Sequence, residues 1–402
     1  MKINIPTIGT RGDVQPFIAL AQGLVRAGHT VTILSHPVMR ILVESHGVPF
    51  APIGPDVDMD EVSASVRERS RNVWGALMQA MRFAFEMLER SHADILKACR
   101  GTDLVVISAS GAAGKNEAEL LGLPYASVTL MPWGIHYTEP GRPLHKRILY
   151  GAIDGIATLV TTRPLNGLRR RQGLPPVGPE AFASPRLDLV PVSPAVYPPN
   201  PYWPAQHHVT GYWFVDELVG WQPPEELLSF LESGPAPLVV SLGAMSRGRA
   251  GALETAGLFV AAIQQAGLRA IILGWETALI DTSLPPSIYP TGSLPFDWLL
   301  PRAAGIVHHG GFGTTAAGLR AGIPALVIPH IVDQFYWAQK VFELGVGPKP
   351  IPRGKLDIPK LSAALKELDE NSNFRAAAAN IGVQIGSEKG IEQAVCLIQD
   401  TF

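Results

Sequence analysis

The sequence predicts an α/β protein of two open β/α/β domains facing each other across a cleft. Three observations carry that expectation. The 402-residue chain is long enough for two or three domains, each with its own core. Its first 35 or so residues form a β-turn-α-β unit, the repeat from which parallel sheets are built. A second set of the same pattern begins near residue 237, beyond a Pro-rich connector, so two sheets are expected, with their carboxyl ends lining the cleft.

Residues 2–8 are an apolar run that ends in a Gly-rich turn at 9–13, and apolar positions 17, 18, 20, 21, 24 and 25 then follow at helical spacing. Gly28 closes that helix, and residues 30–36 read as the next buried strand. Helices are expected at 38–47, 61–99 and 114–121, and strands at 103–109 and 124–130. From 131 to 205 the pattern loosens among Pro and aromatic residues, and the domain boundary falls near 195–235. The second set has strands at 237–244, 269–274, 289–295, 305–311 and 324–329, and helices at 250–266, 314–321, 334–344 and 359–382. The division expected is 1–205, 206–385, and a terminal helix within 386–402 that packs back across onto the first domain.

Hydrophobic residues make up 47% and charged residues 17%, which excludes a disordered chain. A net charge of −2 provides no field for nucleic acid or an anionic membrane. The short run Arg169-Arg170-Arg171 reads as a solvated face. Two distant cysteines, Cys99 and Cys396, offer neither a disulfide framework nor a metal quartet. The N-terminus lacks the apolar stretch of a signal peptide, and no apolar run reaches bilayer length. A soluble, cytoplasmic protein is expected.

The strongest constellation is VHHGGFGTTAAGLRAGIP at 307–324, a buried strand running into two His, closely spaced Gly and two Thr before a helix. Such a turn exposes backbone N–H groups at a helix N-terminus and suits a phosphate. It is neither a P-loop nor a dinucleotide turn. His309 is placed to donate to a diphosphate oxygen, a structural histidine being the alternative. Asp333 and Gln334 follow the strand at 324–329 and offer oxygens and an amide for sugar hydroxyls; a helix cap at Asp333 is the plainer reading. At the first strand-to-helix turn, Asp13 is a candidate base, with Thr10 and Arg11 in reach of phosphate. Capping of the first helix explains Asp13 equally well.

GTRGDVQPFIALAQGL, TGYWF at 210–214, GSLPFDW at 292–298, HHGGFGTTAAGLRAGIP and DQFYWAQ occur in order along the chain. This series resembles the GT-B-fold nucleotide-sugar glycosyltransferases, two Rossmann-like domains across a cleft, in the branch of sterol 3β-glucosyltransferases and macrolide and glycopeptide glycosyltransferases. The resemblance implies that Asp13 deprotonates the acceptor hydroxyl. It implies that His309, Gly310, Gly311, Gly313 and Thr314 bind the donor diphosphate, Asp333 and Gln334 the sugar, and Leu294, Pro295 and Trp298 the base. The implied reaction is inverting and needs neither metal nor cofactor: a hexose, foremost glucose from UDP-glucose as co-substrate, passes to a hydroxyl of a lipophilic acceptor such as a sterol, polyketide or flavonoid.

The sequence departs from that pattern in places. Asp13 and Ala317 stand where the plant small-molecule branch has a His and a ribose-binding Glu, which leaves UDP and dTDP open. Ala244 stands in the place of a phosphate-contacting Ser, with Ser241 or Ser246 as substitutes. On the acceptor side Trp74, Met78, Met81 and Phe85, with Trp133 and Tyr137, can wall an apolar pocket. Positions 74, 77, 78, 81 and 85 have helical spacing, so they can equally be core. Arg67, Arg69, Arg71 and Arg82 allow a weaker reading, a surface helix touching a membrane. The Asp56-Val57-Asp58 metal motif is set aside for want of sheet context, and no His or Cys spacing suggests zinc. The rival functions are a non-catalytic nucleotide-sugar-binding or helper protein, a dTDP-deoxysugar transferase of natural products, and a nucleotide-sugar epimerase or hydrolase.

Overall fold

The computed structural model describes residues 1–57, 73–109, 112–135, 137, 139, 151, 155, 156, 158–178, 182–215, 220–243, 252–280 and 282–402. The chain divides into two compact units, one made of Met1–Met59, Trp74–Val215 and Glu388–Phe402, the other built on Asp216–Ser387.

The first unit runs β1 (Lys2–Pro6), α1 (Arg11–Arg26), β2 (Thr30–Ser35), α2 (Arg40–Glu44), β3 (Phe50–Pro52), α3 (Val73–Cys99), β4 (Leu104–Ser108), α4 (Lys115–Leu120) and β5 (Tyr125–Val128). It continues with α5 (Arg163–Arg171), β6 (Asp188–Val190) and β7 (His207–Val209). The seven strands are parallel in the order β3-β2-β1-β4-β5-β6-β7. All five residues of β4 are buried, as a parallel sheet covered on both faces requires. Phe17, Ile18, Leu20 and Leu24 of α1 are fully buried, matching the spacing that predicts this helix.

The loose stretch between 131 and 205 conceals β6, and β7 follows just beyond it. Each is only three residues long, and β6 opens on a buried charge. Asp188 accepts hydrogen bonds from Ser127 Oγ at 2.5 Å, Thr129 Oγ1 at 2.9 Å and His207 Nδ1 at 2.8 Å. A buried carboxylate is tolerable only with such partners.

The arginine run is only partly a solvated face. Arg170 and Arg171 are exposed, but Arg169 is 1% exposed. It donates to Asn116 Oδ1 at 2.8 Å, Glu119 Oε2 at 2.6 Å and the Pro175 carbonyl at 2.8 Å. Buried Lys115 also meets Glu119, at 2.6 Å. Burial alone would raise the Glu119 carboxyl, yet its hydrogen bonds to Arg169 and Lys115 hold it below the usual carboxylate range.

The second unit runs α6 (Glu225–Glu232), β8 (Leu238–Ser241), α7 (Ala252–Ala266), β9 (Ala270–Leu273), α8 (Glu276–Leu279), β10 (Ile288–Thr291) and α9 (Phe296–Leu299). It is completed by β11 (Gly305–His308), α10 (Phe312–Arg320), β12 (Ala325–Val327), α11 (Val332–Glu343), α12 (Ile358–Glu370) and α13 (Ser372–Ser387). Its five parallel strands lie in the order β10-β9-β8-β11-β12. The single helical stretch expected at 359–382 is two helices, broken at Asn371, whose backbone is extended. The final helix, α14 (Gly390–Thr401), belongs to the first unit and packs on α1. Among the described residues no helix is long and apolar enough to cross a membrane.

In both sheets the strand that comes first in the chain lies inside the sheet, with successors on either side. The order therefore reverses between β1 and β4 in one unit and between β8 and β11 in the other. Loops leaving the carboxyl ends of strands at such a reversal form the ligand crevice of an open α/β sheet. Gly9–Asp13 leaves β1, and the His-His-Gly-Gly turn leaves β11.

Candidate functional site

In the second unit, β11 ends at His308 and α10 starts at Phe312. The helix begins two residues earlier than the spacing predicts because Gly311, with extended backbone, occupies the N-cap position and no side chain caps it. Thr315 N donates to the Gly311 carbonyl at 3.0 Å, closing the first helical turn. The amides of Gly311, Gly313 and Thr314 therefore precede the first intrahelical bond and point out of the helix at its positive end. Gly313 is exposed and faces open space. Gly310 differs from the others. Its backbone is left-handed, with φ of +89°, and its N–H donates to His308 Nδ1 at 3.0 Å, so it has no donor left for a ligand.

His309 is partly buried between two glycine backbones. A Cβ on Gly243 would come within 2.9 Å of its Cε1, and one on Gly311 would collide with its Nε2. Its Nδ1 is buried with no hydrogen-bond partner among the described residues. Burial lowers its pKa to about 4, weakly opposed by the Ser241 carbonyl. His308 is wholly buried and pushed to about 3 by burial, with His309 adding to the shift. Both rings are thus neutral near pH 7, and the positive potential of the turn comes from backbone dipoles.

The Asp333-Gln334 pair touches this turn. A Cβ on Gly310 would meet the Gln334 carbonyl oxygen and Val327 Cγ1, each at 2.8 Å. Gln334 is 3% exposed, and its Oε1 accepts from His330 N at 2.9 Å and Ile331 N at 3.2 Å. Its oxygen thus caps α11 and is not available to a sugar; the amide nitrogen is the end left to offer. Asp333 is partly buried in the first turn of α11. Arg353 reaches His330 Nε2 at 3.2 Å and Thr255 Oγ1 at 3.1 Å, bracing the loop that carries the pair.

Leu294 and Trp298 are half-buried and Pro295 is buried. The Arg302 guanidinium sits 4.4 Å over the Trp298 ring and Trp221 meets that ring edge-on at 5.1 Å. Ser241 ends β8 and is buried. Ala244 and Ser246 lie outside the described residues.

In the first unit, Asp13 Oδ2 accepts from Thr10 N at 2.8 Å and Thr10 Oγ1 at 2.9 Å, a capping box at the start of α1. Gly9 has φ of +155°, and a Cβ there would lie 2.5 Å from Asp13 Oδ2. The carboxylate is thus held against a backbone that only glycine leaves open. Arg11 is exposed.

Of the acceptor candidates, Met78 is 41% exposed on α3 and Met81 is partly buried. Phe85 packs against the core cluster that includes Leu88 and Ile95. It also floors a groove of about 400 Å³ between α3 and α5 whose walls include Arg82, Glu86, Glu89 and Arg171. Trp133 and Tyr137 are half-buried. The Trp74 side chain, Arg67, Arg69, Arg71 and Asp58 lie outside the described residues.

Two open parallel sheets with these turns at their strand-order reversals define a GT-B architecture. Solved structures agree on the fold. The glycosyltransferase of kitacinnamycin superposes with a TM-score of 0.77 at 19% identity, covering 100% of this chain and 98% of that one. The glycosyltransferase VinC, in complex with dTDP, gives 0.73 at 21% identity, covering 99% of each. Residues 3–136 match the glycosyltransferase family 28 N-terminal domain, and residues 271–390 match the C-terminal domain of erythromycin biosynthesis protein CIII-like proteins. O-mycaminosyltylonolide 6-deoxyallosyltransferase of Streptomyces fradiae is 33% identical over 100% of this chain and 97% of its own length. Sterol 3-beta-glucosyltransferase of Candida albicans is 34% identical over 98% of this chain, which spans 27% of that protein. The chain belongs to the family of these glycosyltransferases and is a sugar-transferring enzyme.

Proposed function

We propose that the protein transfers a hexose, foremost glucose from UDP-glucose, to a hydroxyl of a lipophilic acceptor such as a sterol or polyketide, with inversion at the anomeric carbon. The observation that carries this reading is the β11–α10 turn, with its outward amides at Gly311, Gly313 and Thr314 beside His309. These groups hold the donor diphosphate and stabilise charge that develops on it as it leaves. Asp13 accepts the proton of the acceptor hydroxyl, and Asp333 with the Gln334 amide orients the sugar. The proposed transfer uses neither metal nor cofactor. The activities of the two relatives support a sugar donor and an apolar, hydroxyl-bearing acceptor.

A second donor, a dTDP-6-deoxyhexose, is favoured by the full-length match to the deoxyallosyltransferase. Calorimetric titration with UDP, dTDP, UDP-glucose and UDP-GlcNAc separates the two. Selective binding of UDP and UDP-glucose is expected. Preference for dTDP would move the second donor forward, and a folded protein that binds none of them would refute the reading of the turn.

A further inference from the structure

We infer that His308, which need not touch the donor, is the positioning residue of the diphosphate turn: its neutral imidazole accepts the Gly310 N–H and so fixes the backbone that aims the next amides. This rests on the diphosphate reading above. The geometry comes first. His308 is the last residue of β11, is wholly buried, and receives the Gly310 N–H on Nδ1 at 3.0 Å. A side-chain acceptor bonded to the amide two residues on is the connectivity of an Asx turn, with imidazole in place of a carboxylate or amide. Gly310 is itself buried and left-handed, packed against Val327 and the Gln334 carbonyl. Without the ring its N–H would be buried and unsatisfied, which a turn relieves by changing conformation.

A neutral acceptor suits the ligand. An aspartate would make the same bond but would place a negative charge under a site meant for a diphosphate. Imidazole that accepts on Nδ1 while neutral carries its proton on Nε2. Here Nε2 is buried with no partner among the described residues. The bond to Gly310 is thus made by a ring whose other nitrogen finds no acceptor among the described residues.

The test compares His308→Leu and His308→Asn with the parent protein, using UDP and dTDP against uridine and thymidine as probes. Asn can accept the same amide through Oδ1, whereas Leu cannot. His308→Leu is expected to lose about tenfold in affinity for the preferred nucleoside diphosphate and nothing for the nucleoside, since one buried hydrogen bond is involved. His308→Asn is expected to restore the parent value within about twofold. Equal diphosphate affinity in the Leu variant, or equal weakness in both variants, overturns the inference while the diphosphate reading stands. A parent protein with no preference for diphosphate over nucleoside overturns both. Should the Leu variant not fold, ¹⁵N spectra of the parent imidazoles decide: a Nε2-protonated His308 at pH 7 is expected, and the Nδ1-protonated tautomer contradicts the inference.

Discussion

Replacing Asp13 by Asn and by Ala separates two roles that a single carboxylate combines. Asp13 Oδ2 receives both the backbone N–H and the hydroxyl of Thr10, so it caps α1 whatever else it does. Alanine removes the cap, worth about 1 kcal/mol, and the favourable charge at the helix N-terminus, worth roughly 0.3–1 kcal/mol. For a unit of this size the sum corresponds to a drop of about 3–6 °C in Tm. Asparagine keeps an oxygen for Thr10 and loses only the charge, so its Tm should fall by no more than about 3 °C. As a general base, however, asparagine is no better than alanine. Both variants should lose about 10²–10⁴-fold in kcat, which is roughly 3–5 kcal/mol of transition-state stabilisation. Initial rates at saturating donor, with melting curves of each variant, give both numbers. If Asp13→Asn turns over within about threefold of the parent, well above the loss expected for a missing base, Asp13 is a helix cap and the proton goes elsewhere.

Other consequences follow from burial and from shared hydrogen bonds. His309→Ala should raise the Kd for the preferred nucleoside diphosphate about tenfold and lower kcat with it, checked by calorimetry and rates; unchanged affinity removes it from the diphosphate site. Between about pH 4 and 6.5 the unfolded chain binds protons at His308 and His309 that the folded protein refuses, so stability is lost as pH falls through that window and recovered above pH 6.5. The loss from pH 6.5 to 5 is on the order of 2 kcal/mol per histidine, and denaturant melts of the parent and His308→Asn across that range should differ by that one histidine. Arg169→Met should destabilise the first unit by about 1–3 kcal/mol, because Asn116 and Glu119 lose a buried donor while Lys115 still holds Glu119; a denaturation midpoint equal to the parent's would show that the Arg169 hydrogen bonds add nothing to stability.

The sequence made visible those parts of the fold that rest on apolar periodicity. Strands β1, β2, β4, β8 and β11 are buried runs bounded by turn residues, and α1 keeps a clear apolar face. The short strands β6 and β7 are hidden in the sequence because Asp188, Ser127, Thr129 and His207 form a polar cluster inside the sheet, and hydropathy alone treats such residues as surface. The burial of Arg169 is not legible for the same reason: composition cannot reveal that Glu119 balances its charge inside the unit. At the candidate site, the Gly-rich turn and Asp13 are legible because strand-to-helix junctions carry few residues and each has a constrained task. The division of labour between His308 and His309 is not legible, since it depends on which ring faces the Gly310 N–H. Likewise, only the distances to His330 N and Ile331 N reveal that the Gln334 oxygen is spent on the backbone.

Transfer itself is tested most directly by incubating the protein with UDP-glucose, with and without a panel of sterol and macrolactone alcohols, and measuring UDP release and the anomeric configuration of any product. UDP should appear at a rate that depends on acceptor, and the isolated glycoside should be β-linked. Release of free glucose at the same rate without acceptor, or an α-linked product, would contradict inverting transfer to an acceptor hydroxyl.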